Sequence, residues 1–155
     1  MVRLDELPEY ERNHLLGKEL APLGPPAWTP PTRPLASMRI ALLTTAGLHF
    51  RTATPFDLMD TGFRPIPTEV NAGELVMSHS SANFDRTGFA EDINLVFPID
   101  RFKELHAQGR IGSLASIHYS FMGAGLLPAA YETAAGQVAE LLKKDRVDAV
   151  FLTPV

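Results

Sequence analysis

Met38-Arg39-Ile40-Ala41-Leu42-Leu43-Thr44-Thr45-Ala46-Gly47 is the stretch that decides the fold. It is short enough for a strand and lacks the polar alternation of a sheet face open to water, so it reads as a buried strand of a parallel sheet. Two further runs have the same character: Glu74-Leu75-Val76-Met77, which turns polar at Ser78, and Val147-Asp148-Ala149-Val150-Phe151-Leu152-Thr153-Pro154-Val155. Helices fall between them. From Ile99 to Gln108 the apolar residues Ile99, Phe102 and Leu105 recur every three positions, with Pro98 before the start and Gly109 placed to stop the helix. From about Ala129 to Lys144, Tyr131, Ala134, Ala135, Val138, Leu141 and Leu142 form one stripe, with Glu132 in the first turn and Lys143 and Lys144 in the last, matching the helix dipole. Alternating buried strands and amphipathic helices predict an α/β fold, a single domain with a mostly parallel sheet flanked by helices. Ligands of such sheets bind beyond the carboxyl ends of the strands. The strand ends at Leu42, Val76 and Phe151 are therefore expected side by side, with His79 and Val155 facing one crevice.

N-terminal to the first strand the composition changes. Seven of the 13 prolines fall between Pro8 and Pro34, and Ala21-Pro22-Leu23-Gly24-Pro25-Pro26-Ala27-Trp28-Thr29-Pro30-Pro31-Thr32-Arg33-Pro34 has too few backbone donors for a helix or inner strand. It reads as a proline-rich N-terminal arm, on which Trp28, the one tryptophan, is expected to dock against the same chain. Asp5 to Leu20 reads as a short helix with Leu15, Leu16 and Leu20 on one side. The chain thus divides into residues 1–37, helix and arm, and residues 38–155, the α/β domain.

Bulk properties exclude several functions. With 155 residues, 45% hydrophobic, the chain suits one core. A formal charge of -4, from 14 Lys+Arg against 18 Asp+Glu, argues against nucleic acid or an anionic membrane as partner. The absence of cysteine excludes disulfides, thiolate metal sites and a cysteine nucleophile for the chain as written. No apolar run approaches a bilayer span and no signal peptide pattern is present, so the sequence predicts a cytoplasmic protein.

The densest polar cluster, Ser78-His79-Ser80-Ser81-Ala82-Asn83-Phe84-Asp85-Arg86, follows directly on an apolar run. Ser78, Ser80, Ser81, Asn83 and Asp85 can hydrogen-bond a small amino acid or amine, Arg86 offers a fork for a carboxylate, and His79 exchanges a proton near neutral pH. The same residues are also ordinary turn formers, and Asp85 beside Arg86 also suits a cap. His118, beside Tyr119 and Ser120, is either a second proton-transfer group or a satisfied interior residue. Neither His79 and His118 nor His14, His49 and His106 show metal-ligand spacing, so no metal is expected. Gly123-Ala124-Gly125 is part of a dinucleotide fingerprint without its third glycine, so NADH binding of that type is not expected. No G-x-S-x-G elbow supports a serine hydrolase.

Three strings, VMSHSSANFDRTGFAEDINLVFPIDRFKEL, GRIGSLASIHYSFMGAG and VDAVFLTPV, resemble the selenoprotein B component of the glycine, sarcosine, betaine and D-proline reductases, over about Met38 to Val155. The resemblance implies reductive cleavage of a carbon-nitrogen bond in an amino acid or N-methylated amine. It implies no cofactor within the chain as written, a selenocysteine directly after Val155 in the full frame, and a pyruvoyl group in a partner subunit that holds amine substrates as a Schiff base. Because selenocysteine is encoded by UGA, the expectation is a frame cut at that codon: a strand as apolar as Val147 to Leu152 reads as an inner one, after which the fold would turn into a loop and helix. In this reading Ser80, Asn83 and Arg86 orient the substrate carboxylate, and His79 or His118 manages a proton for the leaving amine. Association into a homo-oligomer is also expected. The competing expectation is a noncatalytic subunit that binds a small carboxylate or serves assembly.

Overall fold

The computed structural model describes residues 3–17, 24–25, 29–81, 86–124 and 126–155. Two compact units meet at Pro30 and Pro31. The first carries helix α1, Glu9–Leu16, which starts after Pro8, ends at Gly17 and buries none of its residues; Tyr10 and Leu16 are exposed. Leu20, Trp28 and the arm residues around them lie outside the described residues, and so does the expected docking of Trp28.

The second unit holds the sheet. Strand β1, Arg39–Thr44, is the deciding stretch, and Ile40, Ala41, Leu42 and Thr44 in it are buried. Two short strands, β2 (Leu48–Phe50) and β4 (Leu75–Met77), form a separate antiparallel ribbon. Strand β3, Arg64–Pro67, pairs antiparallel with β6, Ile117–Ser120, and its two prolines sit at a sheet edge, where a missing N–H is tolerated. Strands β5 (Ser113–Leu114), β6 and β7 (Ala149–Thr153) all run parallel to β1.

The backbone of β1 alternates between its two edges. Met38, Ile40 and Thr44 accept on one edge from Ser113, Ala115 and Phe121; on the other, Arg39 accepts from Asp148 and Thr45 donates to Thr153. Thus β5 and β6 are two halves of one interrupted strand on one side of β1, and β7 is on the other. The register steps by two residues across the interruption, from Ile40 opposite Leu114 to Leu43 opposite Tyr119.

Helix α3, Ile99–Ala107, covers one face, where Phe102 packs with Ile40, Leu114 and the Phe151 ring, whose centroid is 5.0 Å away. Helix α4, Glu132–Lys144, covers the other, burying Ala134 and Val138 against Tyr119 and Phe121. Helix α2, Thr87–Glu91, is a short link before α3. Both long helices lie where the sequence periodicity predicts them, and Gly109 takes the left-handed conformation that ends α3, φ 67°.

The sheet is mostly parallel, as expected, with β3 joining antiparallel at one edge. Two expectations need correction. The run at Leu75–Met77 is not in this sheet; three residues long, it pairs with β2, which the sequence reading missed. Finally β7 pairs only with β1 among the described residues, so it is an edge strand, with Phe151 45% and Leu152 63% exposed. No described helix is long and apolar enough to cross a membrane.

Candidate functional site

Four segments converge where β1 and β7 end. Gly47, with φ 67°, crosses so close to Ser78 that an added Cβ would stand 2.9 Å from the Ser78 carbonyl oxygen, so only glycine fits. The Ser78 amide donates to the Gly47 carbonyl and the Gly47 amide to that of Phe121. Gly123 donates to the Thr45 carbonyl, and a Cβ there would meet the Thr45 side chain at 2.5 Å. The Thr45 hydroxyl oxygen accepts from the Val155 amide at 2.9 Å. The 78–81 loop therefore reaches the end of β7 without its own strand joining the sheet.

His79, 6% exposed, lies beside the Val155 backbone. Its Nδ1 accepts from the Ser81 amide at 3.3 Å, which leaves the ring proton on Nε2. Burial, then the nearby Arg86 charge, lower its pKa, while the Val155 backbone pulls the other way. His79 is accordingly a neutral imidazole at neutral pH. One Arg86 nitrogen donates to the carbonyls of His79 and Ser81, the latter at 3.0 Å, so the guanidinium braces the loop as well as charging it. The Ser80 hydroxyl donates to the Met122 sulfur at 3.2 Å, and the Tyr131 hydroxyl to the Met122 carbonyl at 2.7 Å. Ser78, His79, Ser80, Ser81 and Arg86 thus come together with Val155; Asn83 and Asp85 lie outside the described residues.

His118 does something else. It is fully buried, its Nδ1 accepts from the Leu42 amide at 3.0 Å, and its Nε2 donates to the Thr68 hydroxyl at 3.1 Å, which donates on to the Ala115 carbonyl. Leu42 faces the gap between β5 and β6, where a neighbouring carbonyl is missing, and the imidazole takes its place. Burial pushes the His118 pKa down to about 4, although Asp145 pulls it up. Both ring nitrogens are committed to the sheet, which is the interior alternative of the sequence reading.

The sequence reading weighed His49 only as a metal ligand and gave it no hydrogen-bonding role. His49 is 2% exposed, with Nδ1 2.8 Å from the Phe50 carbonyl and Nε2 2.8 Å from the Ser78 hydroxyl. The same reading assigned no individual role to Thr45 or Met122. The signal available was the polar Thr44-Thr45 pair closing an otherwise apolar strand.

At the opposite ends of the strands, an open polar cleft of about 780 Å³ is lined by Arg33, Arg39, Ser113, Ser116, Asp145 and Asp148 among others. Arg39 there donates to the Asp145 carboxylate at 2.7 Å, to its backbone carbonyl, and to Ser113 and Ser116. Burial alone would raise the Asp145 pKa, but the Ser116 amide and the Arg39 guanidinium outweigh it and hold the carboxyl below its usual range. The donors and acceptors of this cleft largely satisfy each other. Its volume does not mark it as the site.

A family model described as glycine/sarcosine/betaine reductase selenoprotein B matches residues 68–155. The chain belongs to this family. Within the selenoprotein B family, it is 39% identical over 131 residues to the D-proline reductase subunit gamma of Acetoanaerobium sticklandii, covering 83% of this chain and 53% of that one. It is 33% identical over 130 residues to the glycine reductase complex component B subunit gamma of Symbiobacterium thermophilum, covering 80% of this chain and 30% of that one. With the betaine reductase complex component B subunit beta of Peptoclostridium acidaminophilum it shares 27% over 133 residues, 79% of this chain and 29% of that one. The chain therefore spans about half, or less, of the length of these curated relatives. No solved structure matches it significantly.

Proposed function

We propose that the chain is part of a selenoprotein B-type subunit of a reductase that cleaves a carbon-nitrogen bond in an amino acid or N-methylated amine. The observation that carries this reading is the family match over 68–155, a stretch that contains both the 78–81 loop and the end of β7. The reading places a selenocysteine next after Val155 and a pyruvoyl group on a partner subunit. The donor set suits such a residue. Arg86 supplies positive charge beside His79, so an ionised selenol in this neighbourhood would find a cation. When present, a selenolate supplies the nucleophile for displacement of the amine at the α-carbon.

The work of this chain's own residues is binding and proton management. Arg86 keeps one nitrogen on the loop and offers its other N–H groups to the substrate carboxylate, together with the exposed Ser80 hydroxyl of the same loop. His79, kept neutral by burial and Arg86, lies beside the Val155 backbone and is not a resident acid. His118 is enclosed and holds the sheet.

The test compares the full frame with selenocysteine at the position after Val155 against the same frame with serine there, assayed with a dithiol reductant, candidate amino acids and any pyruvoyl subunit encoded nearby. Reductase activity in the selenocysteine form and its loss in the serine form is the expected result. Equal activity in both would remove selenium from the mechanism, and a non-UGA stop after the Val155 codon would favour the noncatalytic alternative.

A further inference from the structure

Ser78 and His49 form a pair whose hydrogen-bond polarity is fixed by the fold. The Phe50 carbonyl can only accept, so the His49 nitrogen 2.8 Å from it, Nδ1, must carry the ring proton. In the neutral ring Nε2 is then a bare acceptor. Its partner at 2.8 Å is the Ser78 hydroxyl, which must donate its one proton inward. His49 is 2% exposed and packs edge-on against Phe56, ring centroids 6.2 Å apart, so the ring is held in place. Ser78 itself is only half-buried, and no other partner meets its hydroxyl among the described residues. The Ser78 hydroxyl oxygen is therefore left with lone pairs and no proton to give a further partner.

From this geometry we infer that His49 is a positioning residue that makes Ser78 an obligate hydrogen-bond acceptor, and that Ser78 reads an N–H of the substrate's ammonium group rather than its carboxylate. The inference rests on the amino-acid reductase reading and deepens it. Ser78 stands next to His79 and is clamped by its backbone to Gly47, so it belongs to the segment that reaches Val155. A hydroxyl pinned in this way repels a carboxylate, which also brings only lone pairs, and accepts from an ammonium. The division of labour at the loop follows: carboxylate toward Arg86, ammonium toward Ser78. Substrates with an N–H are separated from quaternary amines that have none.

Sarcosine and betaine make the test, because both carry a carboxylate and only sarcosine has N–H groups. Calorimetric titration of the full-length protein should show Ser78→Ala weakening sarcosine roughly tenfold while changing betaine less than about twofold, the size of one lost hydrogen bond. His49→Asn, which can still donate to Phe50 but cannot reach Ser78, should reproduce Ser78→Ala. His49→Gln, whose amide oxygen can accept the Ser78 proton, should retain most of the sarcosine affinity. Nitrogen-15 NMR of the imidazoles provides a readout free of ligand: His49 should carry its proton on Nδ1, opposite to His118. A proton on Nε2 of His49 overturns the acceptor assignment whatever binds. Equal losses of sarcosine and betaine, or no loss of either, in Ser78→Ala overturn the ammonium contact while leaving the reductase reading intact. Wild-type protein that binds neither ligand overturns that reading and this inference together.

Discussion

At the amino ends of β1 and β7, Arg39, Asp145, Ser113, Ser116 and Asp148 face one another and use up nearly every donor and acceptor they have. At the carboxyl ends, Ser78, Ser80 and Arg86 are tied mostly through their backbones and to carbonyls, and their functional atoms retain capacity for something else. Both ends are polar, and the amino end holds an open cleft of about 780 Å³. Polarity therefore does not separate a brace from a site; unspent hydrogen-bonding capacity does. Residues of the closed kind should govern stability, and residues of the open kind should govern binding.

The largest effect is expected at His118, which lies inside the sheet and belongs to the closed kind. Its pKa is about 4 in the folded protein against 6.5 for an unperturbed imidazole. Below pH 6.5 the unfolded chain takes up a proton that the folded chain refuses. This contribution is therefore complete above about pH 6.5 and declines by roughly 3 kcal/mol as pH falls toward 4. In His118→Asn an amide oxygen can still accept from Leu42 but does not titrate, so denaturant midpoints at pH 7 and pH 4.5 should differ less than in the wild type. An unchanged slope would return His118 to the open kind.

Next in size is Arg39→Met. It should cost about 1–2 kcal/mol, since it removes hydrogen bonds to a partly solvated carboxylate and two serines, and it should leave sarcosine binding unchanged. A loss of binding larger than about twofold would mean that the two ends are coupled. The smallest stability change should come from Ser80→Ala, under about 0.5 kcal/mol because the residue is exposed and its one side-chain bond goes to a sulfur. Its effect should appear instead in substrate affinity, measured by the same titration.

These contrasts also explain what the sequence made legible. β1, α3 and α4 were readable because each has a period and a boundary signal of its own: an unbroken apolar run, or a stripe closed by Gly109 or by Lys143 and Lys144. β3 was hidden by Pro65 and Pro67, which argue against a strand until the strand is known to lie at an edge. β5 and β6 were hidden by their interruption, since the two halves are separately too short to show a pattern. The edge position of β7 was misread because its apolar composition suits burial on both sides, and edge or interior is decided by pairing, not by composition. At the site, the Ser78–Arg86 loop was legible as a polar cluster. His49 was not, because its role depends on a serine 29 positions later that a separate ribbon brings to it.

The placement of β1 has a consequence for how the chain is made. Among the described strands β1 is the first to leave the ribosome, and the parallel strands all pair with it. Yet its partners on one side begin 74 residues later and its contact with Asp148 on the other lies 109 residues away. At about 5–20 residues per second, Ile40 to Leu43 wait on the order of ten seconds for the last of these neighbours to be synthesised. Closing such long intervals loses chain entropy before any ladder forms, so the sheet should assemble late and together rather than strand by strand. During that wait a largely apolar strand stands unpaired, and it is there, more than in the finished surface, that a chaperone would find this protein.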